Sequence, residues 1–247
     1  MPFDLIDSSS LPQDPMQAEE ALLTRAASGE AVAHLWEASV SLIVPRSYQR
    51  YASLADARIE FARRGCPVWL RLSGGGLVPQ GPGILNLSLA YPVRATMGAL
   101  SESVYLHLCT LIADALRSLG VLAHWQAVEG SFCDGRFNLA WGPGDDARKI
   151  AGTAQYWRRV SQQDSAEPLY AVLAHAVLLV DADPIEINER ANAFEAMIES
   201  GRRYEEMKVV TVAQALAYEC FSIPHDLRFR VRDALTEQVK QAIPPQQ

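Results

Sequence analysis

The chain has 247 residues, 49% of them hydrophobic, and a formal net charge of −7. That is room for one large domain with a sizeable core, and the acidic balance leaves no basic surface for neutralising phosphates, so nucleic acid is not an expected partner. The four cysteines (Cys66, Cys109, Cys133, Cys220) form no CxxC pair and the five histidines no HExxH spacing, which argues against a zinc or thioredoxin-type site. The opening MPFDLIDSSSLPQDP lacks the basic-then-apolar order of a signal peptide, and no apolar run is long enough to span a bilayer. The expectation is a cytoplasmic protein with reduced thiols and no membrane association.

In chain order, residues 1–15 read as a loose arm. Residues 17–27 have helical composition, with acids early and Gly29 just past the end. Residues 38–45 alternate around Val40, Leu42 and Val44 and predict a strand. A short helix is predicted over 53–64, closed by Gly65, then a strand over 66–72. That strand runs into Ser73-Gly74-Gly75-Gly76 and, after further glycines, into a strand over 84–89 (ILNLSL). Consecutive glycines let backbone N–H groups face a ligand and allow positive φ. A tight turn between two strands and a ligand cradle flanked by Arg71 are both open. The P-loop and Rossmann spacings are absent, because no GK[ST] follows and the segment feeds a strand.

Residues 101–119 carry the strongest helical period, through Val104, Leu108, Leu111, Ile112, Ala115 and Leu119, with Gly120 as the stop. Cys109 lies near that stripe and reads as a packed core thiol. Residues 121–128 are strand-like. The loop 129–135 (EGSFCDG) holds Cys133 just before the next strand, where a side chain can reach a cleft. A half-buried inert thiol fits that pattern. So does a nucleophile whose pKa is lowered by Arg148 or Lys149.

A strand-like run (Phe137, Leu139, Trp141) then ends in Gly142-Pro143-Gly144-Asp145-Asp146 and is followed by a second extended run from Arg148 to Gln155. The spacing predicts a hairpin or slightly longer loop. Side chains alternate along a strand, so Ile150 faces one side and Lys149 the other. Ala151, Gly152 and Ala154 leave the backbone open to close approach. Lys149 suits the grip of a carboxylate, phosphate or thioester carbonyl, but the pattern by itself favours a solvated charge pair on an edge strand. Residues 169–180 form a long apolar strand containing His175, which on pattern alone is a satisfied core histidine. Pro184 opens a helix over 185–200, and two more helices are predicted over 211–219 and 226–242. A boundary near Ser200 divides the chain into 1–200 and a C-terminal helical extension, 201–247, packed on it.

Three blocks in this order resemble the lipoate–protein ligase A, octanoyltransferase and biotin–protein ligase superfamily, over roughly residues 17–220. Arg71-Leu72-Ser73-Gly74-Gly75-Gly76 is similar to the R-x-[ST]-G-G-G acyl-pocket loop. Residues 147–155 (ARKIAGTAQ) are similar to the G-R-K-[IV]-[AS]-G-x-[AS]-Q signature, and 175–179 (HAVLL) to the H-G-x-[LI]-L strand. The resemblance implies an α+β fold, with a mixed, largely antiparallel central sheet flanked by helices as in class II synthetases and biotin ligases. It implies that Lys149 lies beside the carbonyl of a medium-chain acyl group and stabilises charge during transfer. The loop from Arg71 to Gly76 would line the tunnel for the octanoyl or lipoyl chain, and Asn86, Gly152, Thr153, Ala154 and His175 would complete the substrate pocket.

Residues 131–139 (SFCDGRFNL) are similar to the S-[FY]-C-x-G-x-[YF]-[DN]-L block that carries the nucleophile in the amidotransferase branch, and 84–89 also resemble that branch. This makes Cys133 the leading nucleophile, although the loop 142–146 lengthens its spacing to Lys149. The expected partner is a lipoyl domain of E2 or GcvH type, or an acyl carrier protein, meeting the enzyme at a basic rim near Arg148, Arg158 and Arg159. Departures from the ligase pattern are Gln80-Gly81 in place of His-Asp, Ala176 in place of glycine, and only a short helical tail after Ser200. No tightly bound cofactor is expected, and ATP with Mg enters only if the protein is an ATP-dependent ligase working through a lipoyl-adenylate. A non-catalytic acyl-binding paralogue is the third reading. Biotin ligation is disfavoured, because residues 200–247 show no counterpart of that branch's small barrel.

Overall fold

The computed structural model describes residues 2–96, 98–160, 168–219 and 222–245; Cys220 lies outside them. The large sheet has seven strands in the order β1-β2-β6-β10-β9-β8-β7. These are β1 (Asp4–Leu5), β2 (Val32–Trp36), β6 (Ile84–Arg94), β7 (Ala123–Trp125), β8 (Leu139–Trp141), β9 (Arg148–Arg159) and β10 (Leu169–Leu179). All its pairings are antiparallel except β1 with β2. A second sheet, in the order β4-β3-β5, joins β3 (Ser41–Pro45), β4 (Val68–Arg71) and β5 (Val78–Gln80). The expected mixed, largely antiparallel α+β architecture is what forms.

The centre of the large sheet is the β6–β10–β9 triple. β6 and β10 pair along their whole length, from Leu169 against Arg94 to Leu179 against Ile84. Both are almost wholly buried and largely apolar, with Asn86, Ser88 and His175 as polar exceptions on one face. The opposite face packs on α3 (Ser101–Ser118), α5 (Val212–Tyr218) and α6 (Leu227–Gln241), in a core that includes Leu87, Leu108, Ile112, Ile150, Val231 and Leu235. The other is covered at one end by α1 (Pro15–Ala27), through Leu22, Leu23 and Ala26 against Val32, Ala90 and Leu173. Asp14 caps α1 by accepting from Met16 and Gln17, with Pro15 at the first helical position. A second core joins the small sheet to α2 (Leu54–Arg63) and α4 (Pro184–Met197). The segment after Ser200 shares the main core through Val210, Val212, Leu216 and Val231.

Two expectations are corrected, and one strand went unread. Residues 1–15 are not a loose arm, because Asp4 and Leu5 pair with Val32 and Ala33 and Phe3 is buried. Two paired residues are too short to leave a periodicity in the sequence. The strand β2 went unread for a similar reason, since Val-Ala-His-Leu-Trp is buried along most of its length and shows no alternation. The glycine loop does not join two paired strands. It carries the chain from β4 across to β5 on the opposite side of β3, and the strand beginning at Ile84 belongs to the other sheet.

The second core is pinned by one buried carboxylate. Tyr48 and Tyr204 both donate to Glu195 Oε1 at 2.6 Å, and the Tyr48 hydroxyl accepts from the Leu77 N–H at 3.3 Å. This links α4 to the segment leading into α2, to the loop after α4 and to the start of β5. Burial and the Glu195 carboxylate push both phenols well above their ordinary pKa. Tyr204→Phe removes one of the two bonds and is expected to cost about 1–2 kcal/mol, read as a lower urea midpoint at unchanged slope. An unchanged midpoint would show that Tyr48 alone satisfies Glu195.

Candidate active site

Strand alternation at the start of β9 sends Ile150 into the main core and Lys149 to the opposite face. Lys149 is fully buried. Its ammonium donates to the carbonyls of Phe132 at 2.5 Å and Cys133 at 2.9 Å, and lies 4.6 Å from the centre of the Phe132 ring. An ammonium has three N–H donors, so one remains for a ligand. A Cβ on Gly152 would stand 2.8 Å from Nζ, so glycine there is what makes room for the amine.

Cys133 has φ +50°, one of two non-glycine residues with positive φ among those described. Such backbone is sparsely populated and persists only where the surroundings fix it. Here the Cys133 carbonyl accepts from Lys149, from the Gly135 N–H at 2.9 Å and from the Asn138 amide at 3.0 Å. The buried Phe132 ring and the Ser131 hydroxyl, donating to the Val128 carbonyl, anchor the preceding turn. The thiol sulfur in turn faces the glycine loop. It accepts from the Gly76 N–H at 3.4 Å and lies 3.9 Å from Arg71 Nη2. A Cβ on Gly75, itself at φ +107°, would come within 2.7 Å of the sulfur. Arg71 holds this loop from inside, through Nη2 to the carbonyls of Gly74 and Gly76 at 2.8 and 2.9 Å and Nε to that of Ser73 at 3.3 Å.

The electrostatics follow from this enclosure. Burial alone raises the Cys133 thiol; the Lys149 ammonium, the Arg71 guanidinium and the Gly76 N–H outweigh it, and the net shift is downward. Burial pulls Lys149 down to about 8, opposed by Cys133. Cys109 is the contrast: buried in the main core without a cation, its thiol is pushed up to about 12. The expectation of an inert core thiol holds for Cys109, and the two environments separate the cysteines.

A cavity of about 100 Å³ opens beside these groups, between the large sheet and α1. Among the residues expected at a substrate pocket, Arg71, Asn86, Cys133, Lys149, Gly152, Thr153, Ala154 and His175 line it. Ser73, Gly74, Gly75 and Gly76 do not; Gly75 and Gly76 wrap the sulfur instead, and the Ser73 hydroxyl is buried without a hydrogen-bond partner. His175 is not the satisfied core histidine of the sequence reading. Its Nδ1 is bonded to Ser88 Oγ at 2.8 Å, while Nε2 is buried without a hydrogen bond. The basic rim does not form as one patch. Arg148 and Arg158 stand at opposite ends of β9, roughly 33 Å apart at the rise of a strand, and Arg158 is paired with Glu20. The sequence reading missed Glu19 on α1 and His34 and Trp36 on β2, all of which line the cavity. The alternation of Asn86 and Ser88 with leucines in β6 was the available signal for a polar wall.

On the other side of the Cys133 turn lies an open polar depression of about 740 Å³, bordered by Ser131, Asp134, Arg202 and Lys208. Cys133 lines the cavity, and its chain neighbours Ser131 and Asp134 border the depression. Among the described residues no group of three or more His, Cys, Asp or Glu side chains could hold a metal ion, and no helix is long and apolar enough to cross a membrane.

Residues 11–220 match the model of the lipoyl protein ligase A/B catalytic domain. An uncharacterized protein of Cupriavidus necator is 60% identical over 252 residues, 99% of this chain and 100% of that protein. An octanoyl-GcvH:protein N-octanoyltransferase of Kyrpidia tusciae is 38% identical over 130 residues, 53% of this chain and 43% of its own length, so the match spans less than half of that relative. Among solved structures, a lipoate-protein ligase A bound with ATP superposes with a TM-score of 0.63 at 19% identity, over 96% of this chain and 84% of that one. The bi-partite lipoate protein ligase of Thermoplasma acidophilum gives a TM-score of 0.60 at 20% identity, over 96% and 82%. These two establish likeness of fold. With the family model covering most of the sequence, the chain belongs to the lipoyl protein ligase A/B catalytic domain family, whose members are lipoate- and octanoate-protein ligases and transferases.

Proposed function

We propose that the protein transfers an octanoyl or lipoyl group to a lysine of a lipoyl domain through a thioester on Cys133. The observation that carries this reading is Cys133 itself: a thiol of lowered pKa, on left-handed backbone whose carbonyl accepts from the Lys149 ammonium, lining the cavity beside that amine. An acyl donor would enter with its chain in the cavity and its carbonyl between Cys133 and Lys149. The Cys133 thiolate attacks the carbonyl carbon, and the third Lys149 N–H stabilises the oxyanion of the tetrahedral intermediate. Collapse restores the carbonyl as the thioester and breaks the bond to the donor heteroatom, which leaves with a proton taken from solvent. The amine of the acceptor lysine, reaching Cys133 from the open polar side, then attacks the thioester. Cys133 departs as thiolate, the lysine nitrogen gives up a proton, and an amide results. Arg71 acts through the glycine loop that it clamps, rather than by gripping the chain.

Incubation with octanoylated or lipoylated carrier should add one acyl mass at Cys133, and Cys133→Ala should abolish both adduct and transfer. Transfer by Cys133→Ala at the wild-type rate would exclude the thioester route, and pyrophosphate release dependent on lipoate and ATP would indicate a ligase instead. Lys149→Met should slow transfer by about 10²–10³-fold and raise the pH midpoint for alkylation of Cys133, because the largest charge lowering the thiol is gone. Wild-type activity should rise with pH as Cys133 ionises and fall again as pH climbs through about 8, where Lys149 loses its proton. A profile still rising above pH 9 would remove Lys149⁺ from the reaction. Gly152→Ala brings a methyl within 2.8 Å of Nζ and 2.9 Å of Cε; displacement of the flexible amine should cost about 100-fold in kcat with little change in thermal stability.

A further inference from the structure

We propose that the far end of the cavity recognises a hydroxyl on the acyl chain, which makes a hydroxylated medium-chain acyl group the preferred substrate. The inference rests on the acyl-transfer reading for its direction, and on an unfinished hydrogen-bond network for its chemistry. Strand register puts His34, Ser88, His175 and Ala154 in one row across β2, β6, β10 and β9. The next row toward the thiol is Trp36, Asn86, Val177 and Gly152, with the Lys149 amine beside Gly152. A plain alkyl chain leaving the Lys149 end therefore crosses a wall of histidine and hydroxyl groups.

Most of that wall is already satisfied. Asn86 and Gln80 exchange two amide hydrogen bonds, at 2.8 and 2.9 Å. His34 Nε2 is bonded to Ser8 Oγ at 2.9 Å. Ser88 Oγ accepts from Trp36 Nε1 at 2.9 Å, which leaves its own proton for His175 Nδ1 at 2.8 Å. A neutral His175 then carries its proton on Nε2, and that N–H has no hydrogen-bond partner. Glu19 Oε1 lies 3.0 Å from Nε2 without hydrogen-bonding geometry, while Glu19 Oε2 is taken by the Leu72 N–H at 2.6 Å. One free donor and one carboxylate oxygen thus stand side by side on the cavity wall. A hydroxyl satisfies both, accepting from His175 and donating to Glu19; a methylene satisfies neither and shields both from water.

Spacing gives the position. Rows two residues apart along a strand are ~6.6 Å apart, which is roughly five to six bonds of extended chain at about 1.2 Å each. With the carbonyl at the Lys149–Gly152 row, the hydroxyl falls near the sixth carbon.

The test compares binding of octanoic, 3-hydroxyoctanoic and 6-hydroxyoctanoic acids to the wild-type protein by calorimetry, and their loading onto Cys133 from the corresponding carrier thioesters. The 6-hydroxy acid is expected to bind at least about tenfold tighter than the other two, and His175→Leu to erase that preference. Octanoic acid binding as tightly as the 6-hydroxy acid in the wild type would overturn the inference, whatever the behaviour of the variant. The predicted order of binding without any loading onto Cys133 would sustain the hydroxyl site and refute the transfer reading, so the two fail separately.

Discussion

The site depends on the fully buried Lys149 ammonium, bound to two carbonyls. Lys149 donates to Phe132 and Cys133, residues of a loop remote in sequence from β9. That contact fixes the Cys133 turn against the large sheet, and the turn sets the sulfur against the glycine loop of the small sheet. The unsaturated geometry of an ammonium, with more donors than the turn can use, leaves charge directed at the cavity. Desolvation makes the arrangement costly, and the two carbonyls and the neighbouring thiol offset part of that cost.

Each element that frames the cavity has its own reason to be where it is. The β6–β10–β9 triple is rigid because it is buried on both faces and paired without interruption over eleven residues in β6 and β10. Side chains that project from it, among them Asn86, Ser88 and His175, inherit that precision. Helix α1 is held by the apolar packing of Leu22, Leu23 and Ala26 and by the Glu19 carboxylate on the Leu72 N–H. The small sheet contributes both side chains, among them Arg71, Val78 and Gln80 on the cavity wall, and backbone, since its glycine loop touches the sulfur through the Gly76 N–H.

Much of the chemistry was legible in the sequence because it sits in contiguous blocks. Lys149 beside Gly152, Cys133 in a Gly-flanked loop and three glycines after Arg71 each carry a local signature. Their meeting in space was implied only by resemblance to a family, as nothing in the spacing of Cys133 and Lys149 requires contact. The polar wall was not read, because a row such as His34–Ser88–His175 exists only once the register of three strands is set. Glu19 was read as one of the acids near the start of a helix, since a helix position does not reveal that its carboxylate bends under to meet a loop fifty residues away. The glycine loop was assigned to the acyl tunnel, and its actual contact is with the thiol, a distinction of a few ångströms that no pattern records.

The confinement of Lys149 also bears on a side reaction. On the proposed thioester route, an amine next to the acylated Cys133 would be placed for an S-to-N acyl shift, ending in a stable internal amide and a dead enzyme. A protonated lysine, with two of its hydrogens on the Phe132 and Cys133 carbonyls, has no lone pair to offer. The same contacts that orient the cation therefore act as a guard on the intermediate. Because burial brings its proton loss down to about 8, that guard would weaken in alkaline solution, and a loaded protein left without an acceptor would be exposed to self-acylation there.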